Sequence, residues 1–451
     1  MLTLITGAVQ DRSARGIAAA VSRLITSGHL AAGARLPTVR VVAGSLGVSP
    51  TTVSEAWRNL ILAGAIQTRG RSGTFVSGPL PPRARLRYAQ LSGARVDLPQ
   101  DLSTGVPDPL LLPDLTPALR RIGDGRWAGS YLDAPVLPEL EALLRERWPY
   151  PPERLTVVDG AMDALDRVAG AVLRFGDHVL VENPAFPPLL DLLQAVGATV
   201  VGVPMDSAGI VPDALRQAIR DYRAVALFLQ PRAHNPTGTS MDASRAALLA
   251  NVLLDAPHLL VVEDDHAGGI ATAPPVSIGR YLPERTVHVA GFSKSHGPDL
   301  RLAAVGGPAH VLDALADRRL LGPGWSSRLL QGVLLDLLTD PQAVARVAAA
   351  RDAYAARRSA LLDALHQREV VATAADGINL WMAVPDQQNA MVALAAHGVA
   401  AAPGAPFCVT PLGGDHLRVT VGLVAGGYDE LADVLAVATV PNTLRIRRRT
   451  P

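Results

Sequence analysis

The chain has 451 residues, of which 49% are hydrophobic and 18% charged, and its formal net charge is +1. This length predicts two or three folding units, and the sequence has no run of about 18 uninterrupted apolar residues that would span a membrane. The amino terminus lacks the basic region and small-residue cleavage site of a signal peptide, and the single Cys408 cannot form an internal disulfide, so we expect a reducing, cytoplasmic location.

The charge is distributed unevenly along the chain. Residues 1–88 contain 11 arginines against only Asp11 and Glu55, a net charge of +9 that leaves the remainder at −8. This distribution favours an amino-terminal segment that binds a polyanion, although a solvated arginine-rich surface would also explain it. Lys294 is the only lysine in the chain. If the chain holds an aldehyde cofactor as an imine, Lys294 is therefore the only side chain available for it.

The first elements in chain order predict a helix-turn-helix followed by a wing. Apolar residues at helical spacing predict one helix over 13–28 and a second, short helix from about Thr38. Ser49 as N-cap and Pro50 at the first helical position predict the start of a third helix. Two short β-prone runs on either side of the basic tip 69–73 predict the wing.

This segment resembles the GntR family of winged-helix DNA-binding domains through the pieces GARLPTVR, LGVSPTTVSEAWRNL and RGRSGTFV. The resemblance implies a domain over 1–77 that places its third helix in the major groove of double-stranded operator DNA. The residues implied to lie nearest the DNA are Arg40, Thr51, Thr52, Arg69 and Arg71. Phosphate contact and local capping explain Thr51 and Thr52 equally well. Pro50 and Ser54 replace arginines that often read bases in relatives, so we expect little direct base readout.

The rest of the chain predicts a linker and an α/β body. Residues 78–97 contain three prolines and no clear periodicity, and they predict the linker. Nearly continuous apolar strands alternating with helices predict a mainly parallel sheet covered on both faces. The predicted strands are 178–182, 199–204, 224–229, 259–263 and 286–291, and helices include 161–173 and 242–252. Because ligands in such folds bind beyond the carboxyl ends of strands, we expect Asn235, Asp264 and Lys294 to lie together.

Three motifs in this region resemble those of the fold-type I aminotransferases, which depend on pyridoxal phosphate. HNPTG (234–238), VEDD (262–265) and GFSKSHGPDLR (291–301) occur in the family's order and approximate spacing. The resemblance implies that residues 98–451 form an aminotransferase-like domain that binds pyridoxal phosphate. Its implied parts are a large parallel-sheet part over about 98–330, a small α+β part over about 331–438, and a basic tail over 439–451.

The resemblance also implies roles for individual residues. Lys294 would hold the cofactor as a Schiff base, Asp264 would pair with the pyridine nitrogen, and Asn235 would donate a hydrogen bond to the phenolic oxygen. The other implied cofactor contacts are Phe186 stacking on the ring, Gly160, Ala161, Met162, Ser293 and Arg301 at the phosphate, and Tyr131 reaching in from the partner subunit of a homodimer. Core packing is the alternative for Phe186. Arg418 would bind the α-carboxylate of a substrate or effector, with a surface salt bridge as the alternative.

Two departures from the family pattern bear on the cofactor. His266 stands where relatives commonly have a tyrosine that hydrogen-bonds the phenolic oxygen, so it would replace that bond only in part. Asp159 replaces a small hydroxyl residue beside the phosphate loop, where a second anion is unfavourable unless it points away. We therefore expect reduced cofactor affinity, and no metal site is predicted.

A GntR-type segment joined to an aminotransferase-like body resembles the MocR/GabR group of transcriptional regulators. This resemblance implies a regulator that senses pyridoxal phosphate or a small amino compound through an aldimine at Lys294. The alternative is a working aminotransferase with an accessory DNA-binding segment, because Lys294, Asp264 and Arg418 all permit transamination. Any such activity is expected to be weak or vestigial. A third interpretation is a DNA-binding protein whose body has lost its cofactor.

Overall fold

The computed structural model describes residues 1–31, 33–62, 65–68, 73–76, 86–91, 98–123 and 129–440. The chain divides into two compact units, the head (Met1–Arg85) and the body (Leu86–Pro451).

The head is a small helical unit with a two-stranded wing. Its elements are α1 (Leu2–Ala8), α2 (Ala14–Thr26), α3 (Val39–Leu46), α4 (Pro50–Leu62), β1 (Ile66–Thr68) and β2 (Thr74–Val76). The predicted helices and wing are found, and α1 was not predicted. Strands β1 and β2 are antiparallel, with Thr68 opposite Thr74.

Local signals in the sequence explain where the head's helices begin and end. Ser13 caps α2 by accepting a hydrogen bond from the Gly16 N–H at 3.1 Å, and Ser49 accepts one from the Thr52 N–H at 3.1 Å. Gly47 ends α3 with a φ of +66°, a left-handed conformation that glycine adopts without steric cost. Apolar faces of the four helices and the wing form one core.

The body is built on an eight-stranded sheet and a smaller four-stranded sheet. Its strands are β3 (Gln100–Asp101), β4 (Arg154–Val158), β5 (His178–Asn183), β6 (Thr199–Asp206), β7 (Gly209–Ile210), β8 (Ala224–Leu229), β9 (Leu260–Asp265), β10 (Thr286–Gly291), β11 (Ala303–Gly307), β12 (Ala372–Thr373), β13 (Leu380–Val384), β14 (Val399–Ala400), β15 (Ala402–Pro403) and β16 (Asp415–Val419). Its helices are α5 (Arg87–Leu91), α6 (Thr116–Gly123), α7 (Pro138–Glu146), α8 (Ala161–Val172), α9 (Pro187–Ala195), α10 (Pro212–Asp221), α11 (Ala243–Leu253), α12 (Ala309–Leu320), α13 (Arg328–Thr339), α14 (Pro341–His366), α15 (Gln387–Ala396) and α16 (Tyr428–Val437).

The large sheet has the strand order β4-β11-β10-β9-β8-β5-β6-β7. Strands β10, β9, β8, β5 and β6 are parallel to one another, whereas β11 pairs antiparallel to both β10 and β4. Successive residues of β5 face opposite sides: Val179 and Val181 pack with α8 and α9, while Leu180 packs with α10 and α11. The predicted mainly parallel sheet covered on both faces is confirmed.

The small sheet carries one residue of the candidate site. Its order is β12-β13-β16-β15, and it shares a core with α14, α15 and α16. Strand β3 pairs in parallel with β14, so the start of the body is attached to this part of the fold. Among the described residues no helix is long and apolar enough to cross a membrane.

Residues 86–91, within the segment predicted as a linker, are structured and belong to the body. Helix α5 begins at Arg87, whose N–H donates to Asp191 Oδ1 at 3.0 Å and whose Nη1 donates to the Cys408 carbonyl at 2.8 Å. Leu91 is buried with Trp381 and Phe407. Helix α5 is held to the body by Arg87 and Leu91, and it is too short to show a helical periodicity in the sequence.

Candidate functional site

Lys294 lies in the turn that follows β10. Its Nζ donates a hydrogen bond to the carbonyl oxygen of Gly105 at 2.5 Å. Burial, together with the nearby Arg418 guanidinium, lowers the pKa of Lys294 to about 8, and the Asp264 carboxylate acts in the opposite direction. An amine with this pKa is neutral, and therefore nucleophilic, in an appreciable fraction of molecules near neutral pH.

Asp264, Gln230 and Asn235 form a connected group at the carboxyl ends of β8 and β9. Asp264 Oδ2 accepts a hydrogen bond from Gln230 Nε2 at 2.8 Å, and Gln230 Oε1 accepts one from the Asn235 N–H at 2.8 Å. Burial raises the pKa of the Asp264 carboxyl, against the influence of His266. The other oxygen, Asp264 Oδ1, is buried and has no hydrogen-bond partner among the described residues. A buried acceptor left in this way is costly unless a ligand supplies a donor.

A second buried layer supports this group and was not predicted. Glu182 Oε2 accepts a hydrogen bond from the Gln230 N–H at 2.8 Å and lies 3.3 Å from His234 Nε2. Burial raises the pKa of Glu182 well above its usual value and lowers that of His234 to about 3. Burial therefore favours the uncharged form of both groups, and Glu182 holds Gln230 in place through the hydrogen bond from the Gln230 N–H.

The loop before α8 forms a cradle suited to an anion. Gly160 has a φ of +99° and directly precedes Ala161 and Met162, whose N–H groups in the first helical turn have no intrahelical acceptor. A Cβ atom on Gly160 would lie 3.1 Å from Arg301 Nη2, so the guanidinium group closes over this glycine. Ser293, half-buried, is in the same turn as Lys294.

Asp159 turns its carboxylate toward another cation. Its Oδ2 lies 3.8 Å from Nη2 of the buried Arg319, and its backbone carbonyl accepts a hydrogen bond from Arg301 Nη2 at 3.4 Å. This orientation removes part of the expected conflict between Asp159 and an anion at Gly160.

Arg418, in β16 of the small sheet, is only 2% exposed. Its Nη1 donates to Asn235 Oδ1 at 3.4 Å and its Nη2 to the carbonyl oxygen of Ser103, while its guanidinium carbon lies 5.3 Å from the centre of the Phe407 ring. Burial argues against the alternative of a surface salt bridge. A planar guanidinium at such a buried position has the geometry that suits a carboxylate ligand.

His266 and Phe186, the two side chains predicted to contact the cofactor ring, differ in their surroundings. His266 follows β9, and its Nε2 donates to the Ala233 carbonyl at 3.0 Å. Burial lowers the pKa of His266, so the ring is neutral. Phe186 precedes α9, is half-buried, and packs against the main core. The packing alternative for Phe186 therefore has support.

Tyr131 does not join the other candidate residues within this chain. Its side chain is 89% exposed, and its ring centre lies 5.8 Å from that of Trp325. The neighbouring Leu132 is also almost fully exposed.

Three of the candidate DNA contacts lie among the described residues of the head. Arg40 on α3 and Thr51 on α4 are exposed, whereas Thr52 is half-buried, with its Oγ1 2.8 Å from Ser49 Oγ. This bond favours a capping role for Thr52. Arg69 and Arg71 lie outside the described residues.

Arg35 is an additional cation at the wing that the sequence analysis did not select. Its backbone bridges to Phe75 in β2, and its Nε lies 3.0 Å from the position of a Cβ on Gly73. The residue stands in a turn before α3, and only the strand pairing brings it to the wing.

The structure thus brings Lys294, Asp264, His266, Asn235 and Arg418 together, with the Gly160–Arg301 cradle at the start of α8. This arrangement offers an amine, an acceptor for a buried N–H group, and separate cationic sites for a phosphate and a carboxylate. Within the described part of the chain, no group of three or more His, Cys, Asp or Glu side chains is arranged to hold a metal ion.

Comparison with known families matches both units of the chain. Residues 100–435 match the family described as aminotransferase class I and II, and residues 13–76 match the gntR family of bacterial regulatory proteins.

Two transcriptional regulators are similar to this chain over most of their length. The vitamin B6 salvage pathway transcriptional repressor PtsJ of Salmonella typhimurium is 37% identical, over 85% of this chain and 88% of PtsJ. The HTH-type transcriptional regulator TauR of Rhodobacter capsulatus is 29% identical, over 86% of this chain and 88% of TauR.

The crystal structure of LysN, an α-aminoadipate aminotransferase from Thermus thermophilus, superposes with a TM-score of 0.69 at 23% identity, over 85% of this chain and all of LysN. At that identity the last likeness shows the fold alone, which is that of fold-type I aminotransferases.

Proposed function

This chain belongs to the MocR/GabR-type transcriptional regulators, which join a gntR-family domain to an aminotransferase class I and II domain, and we propose that its body senses pyridoxal phosphate, or a small amino compound that reacts with it, at Lys294. The aminotransferase class I and II fold depends on pyridoxal phosphate. PtsJ, described as a transcriptional repressor of the vitamin B6 salvage pathway, supports the choice of this ligand.

The observation that carries the proposal is Asp264 Oδ1, which is buried near the only lysine of the chain and has no hydrogen-bond partner among the described residues. A pyridinium N–H would give that oxygen its missing donor, and Gln230 already holds the other carboxylate oxygen in place. A buried charge pair of this kind is favourable when both partners are hydrogen-bonded. The residues therefore fit a pyridine cofactor.

The loop at Gly160 supports the proposal independently. A phosphate group needs N–H donors and positive charge, which the amides of Ala161 and Met162 and the Arg301 guanidinium would supply. A side chain at position 160 would meet Arg301 at 3.1 Å, so the glycine keeps the cradle open. Ser293 would add a hydroxyl donor.

When bound, pyridoxal phosphate supplies an aldehyde that captures primary amines and a ring that withdraws electrons. Lys294 would exchange its hydrogen bond to Gly105 for covalent attachment to this group. Asn235 would direct its side-chain N–H group to the ring's phenolic oxygen. Arg418 would bind the carboxylate of an amino compound and release the Ser103 carbonyl.

The head would carry the output of this sensing to operator DNA. Arg40, Thr51, Arg69 and Arg71, with Arg35, would neutralise or position phosphates next to the major groove. A ligand that binds two arrangements of the protein with different affinity shifts their populations, and DNA affinity shifts with them. This role places the protein in the cytoplasm with its DNA.

We further infer a homodimer, because Tyr131 and Leu132 are large, exposed and apolar, and the family relationship implies that Tyr131 completes the partner's site. Light scattering should give twice the chain mass of 47.2 kDa. A monomer at micromolar concentration would refute this part of the proposal.

The test compares wild type with Lys294→Ala. We expect pyridoxal phosphate to give the absorption band of an imine, distinct from that of the free aldehyde, in the wild type only. Pyridoxine phosphate, which lacks the aldehyde, should not give this band with either protein. Operator binding of both proteins is then measured with and without the cofactor. The proposal requires that the cofactor change DNA affinity in the wild type and not in the variant.

Identical DNA binding of both proteins in every cofactor state would overturn sensing through Lys294. Rapid turnover of an amino donor would instead support the aminotransferase alternative, which the regulator names of these relatives do not favour.

A further inference from the structure

The body contains a cavity of about 270 Å³ that is lined in part by the turn after β10. Phe292, Ser295 and His296 line this cavity, whereas Ser293 and Lys294 do not. Within this turn, Lys294 carries the amine of the candidate cofactor site, while its neighbours form part of the cavity wall.

The other walls are mainly apolar and come from distant parts of the chain. The residue after the end of α7 is Arg147, followed by Trp148, and the remaining lining includes Leu338 of α13 and Val344 and Val347 of α14. The Trp148 ring meets that of His288 edge to face, with centres 5.3 Å apart, and Phe292 meets His296 in the same way at 5.9 Å. Apolar walls with aromatic edges and a few polar groups are typical of small-molecule sites.

Arg147 supplies a charge that the cavity does not balance. Its Nη2 donates to the Leu338 carbonyl at 3.2 Å, and its other N–H groups have no partner among the described residues. The second lining arginine, Arg232, is paired with Asp265 at 2.5 Å. The lining therefore has a surplus of one positive charge, at its exposed end.

His296 adds a polar atom inside the cavity. This side chain is only 6% exposed, its Nδ1 lies 2.8 Å from Ser295 Oγ, and its Nε2 has no hydrogen-bond partner among the described residues. Burial and the nearby Arg147 lower the pKa of His296 to about 4, so the ring is neutral near neutral pH. It can pair with a ligand's hydrogen-bonding group without adding charge.

We propose that this cavity is a second small-molecule site, which takes a single aromatic ring bearing one carboxylate. The ring would lie between Trp148 and Phe292, and the carboxylate would meet the Arg147 guanidinium. A cavity of about 150 Å³ accepts benzene, so 270 Å³ accommodates a ring with a short acidic substituent. The site goes beyond the function proposed above, since its occupation requires neither cofactor nor DNA.

Phenylacetate and its neutral isostere phenylacetamide are suitable probes, titrated calorimetrically into the full-length protein carrying pyridoxal phosphate. We expect phenylacetate to bind once per chain and at least about tenfold more tightly than the amide, because the amide carries no negative charge to pair with the Arg147 guanidinium and charge-assisted hydrogen bonds are the stronger ones. Arg147→Gln should weaken phenylacetate binding by at least about tenfold and leave the amide nearly unchanged.

A second variant tests the position of the ring. Val344 lines the cavity and is 46% exposed, so Val344→Trp fills the entrance without disturbing the core, and it should abolish binding of both probes. Matched controls are Arg120→Gln, at an exposed arginine of α6, and Val392→Trp, at a 71% exposed position of α15 outside the cavity. Both controls should bind as the wild type does.

Because Arg418 could also bind a carboxylate, every titration is repeated with Arg418→Gln. Binding that survives this change and is lost with Arg147→Gln supports the second site. Equal affinity for acid and amide, no binding, or binding that requires Arg418 but not Arg147 would each overturn the proposal. None of these results bears on the absorption band at Lys294, so the two proposals can fail separately.

Discussion

Among the described residues, those that the head offers to DNA are two exposed arginines, Arg35 and Arg40, and the exposed Thr51, whereas Asp264, Asn235 and Arg418 near Lys294 in the body are buried and linked by hydrogen bonds. Arg40 is free to move in solvent, while Arg418 is fixed by Asn235 and Ser103. Exposed charges act through long-range attraction that salt screens. Buried groups act through short contacts, and removing one partner leaves the other without compensation. DNA binding by the head should therefore depend mainly on salt concentration, and ligand binding by the body mainly on the geometry of its site.

The largest effect should come from Asp264→Asn, which keeps the shape of the site and removes the buried charge. We expect pyridoxal phosphate affinity to fall at least about 30-fold, because breaking a buried charge pair costs about 2–5 kcal/mol. Absorbance titration measures the affinity. DNA affinity without cofactor should stay at the wild-type value, and a change there would mean that the two units do not separate as described.

A smaller effect should appear in the pH dependence of cofactor capture by the apoprotein. The rate should rise as the pH passes through about 8, because the neutral amine of Lys294 is the reactive form. Arg418→Gln removes a charge that lowers this pKa, so the midpoint should move to higher pH and capture at pH 7 should slow. Stopped-flow absorbance across pH gives both profiles. Arg301→Gln, which alters the cradle and leaves in place the groups that shift the pKa of Lys294, is the control for the midpoint. An unchanged midpoint with Arg418→Gln would contradict the assignment.

In the head, Arg40→Ala should weaken operator binding and reduce its dependence on salt. Loss of one phosphate contact lowers the slope of log affinity against log salt by about 0.9, similarly for operator and unrelated DNA. Fluorescence anisotropy at several salt concentrations measures this slope. Arg154→Ala, at an exposed arginine of the body, should leave it unchanged, while a sequence-dependent loss with Arg40→Ala would indicate base readout instead.

The smallest effect should follow from Ser49→Ala, which removes the acceptor for the Thr52 N–H at the start of α4. The head should lose about 1 kcal/mol of stability, the usual value for an N-cap. Differential scanning calorimetry of the full chain should show a lower transition temperature for the head alone. Ser54→Ala, at an exposed position within α4, serves as the comparison, and equal losses would exclude a specific capping role.

The elements that were predictable from sequence have local causes. Ser49 and Pro50 predict the start of α4. The continuous apolar runs at β5, β8 and β10 are typical of strands buried on both faces. Strand β11, with the sequence AAVGG, lacks the β-branched pattern and exists because it pairs with β4 and β10. Helix α1 has no side-chain cap, and its burial depends on Ile5 reaching the head core.

The site was predictable to a similar degree. Motifs located Lys294, Asp264 and Asn235, but no local pattern reveals that Gln230 joins two of them or that Glu182 and His234 lie beneath. The contacts of Gln230 with Asp264 and with Glu182 connect residues far apart in sequence, and the pairing of β8 with β9 and β5 brings them together. The orientation of Asp159 toward Arg319 likewise depends on a helix 160 residues further along the chain.

The single lysine affects how the protein reacts with aldehydes and acylating agents. Most proteins carry surface lysines that capture such reagents nonspecifically, but here arginine occupies the other long cationic positions. Apart from the terminal amine, the chain has no other primary amine that would compete with Lys294 for an aldehyde. A titration with an aldehyde therefore counts the accessible Lys294 side chains directly. A protease specific for lysine would cut once, between residues 294 and 295, and protection of that bond would report occupancy without any spectroscopic label.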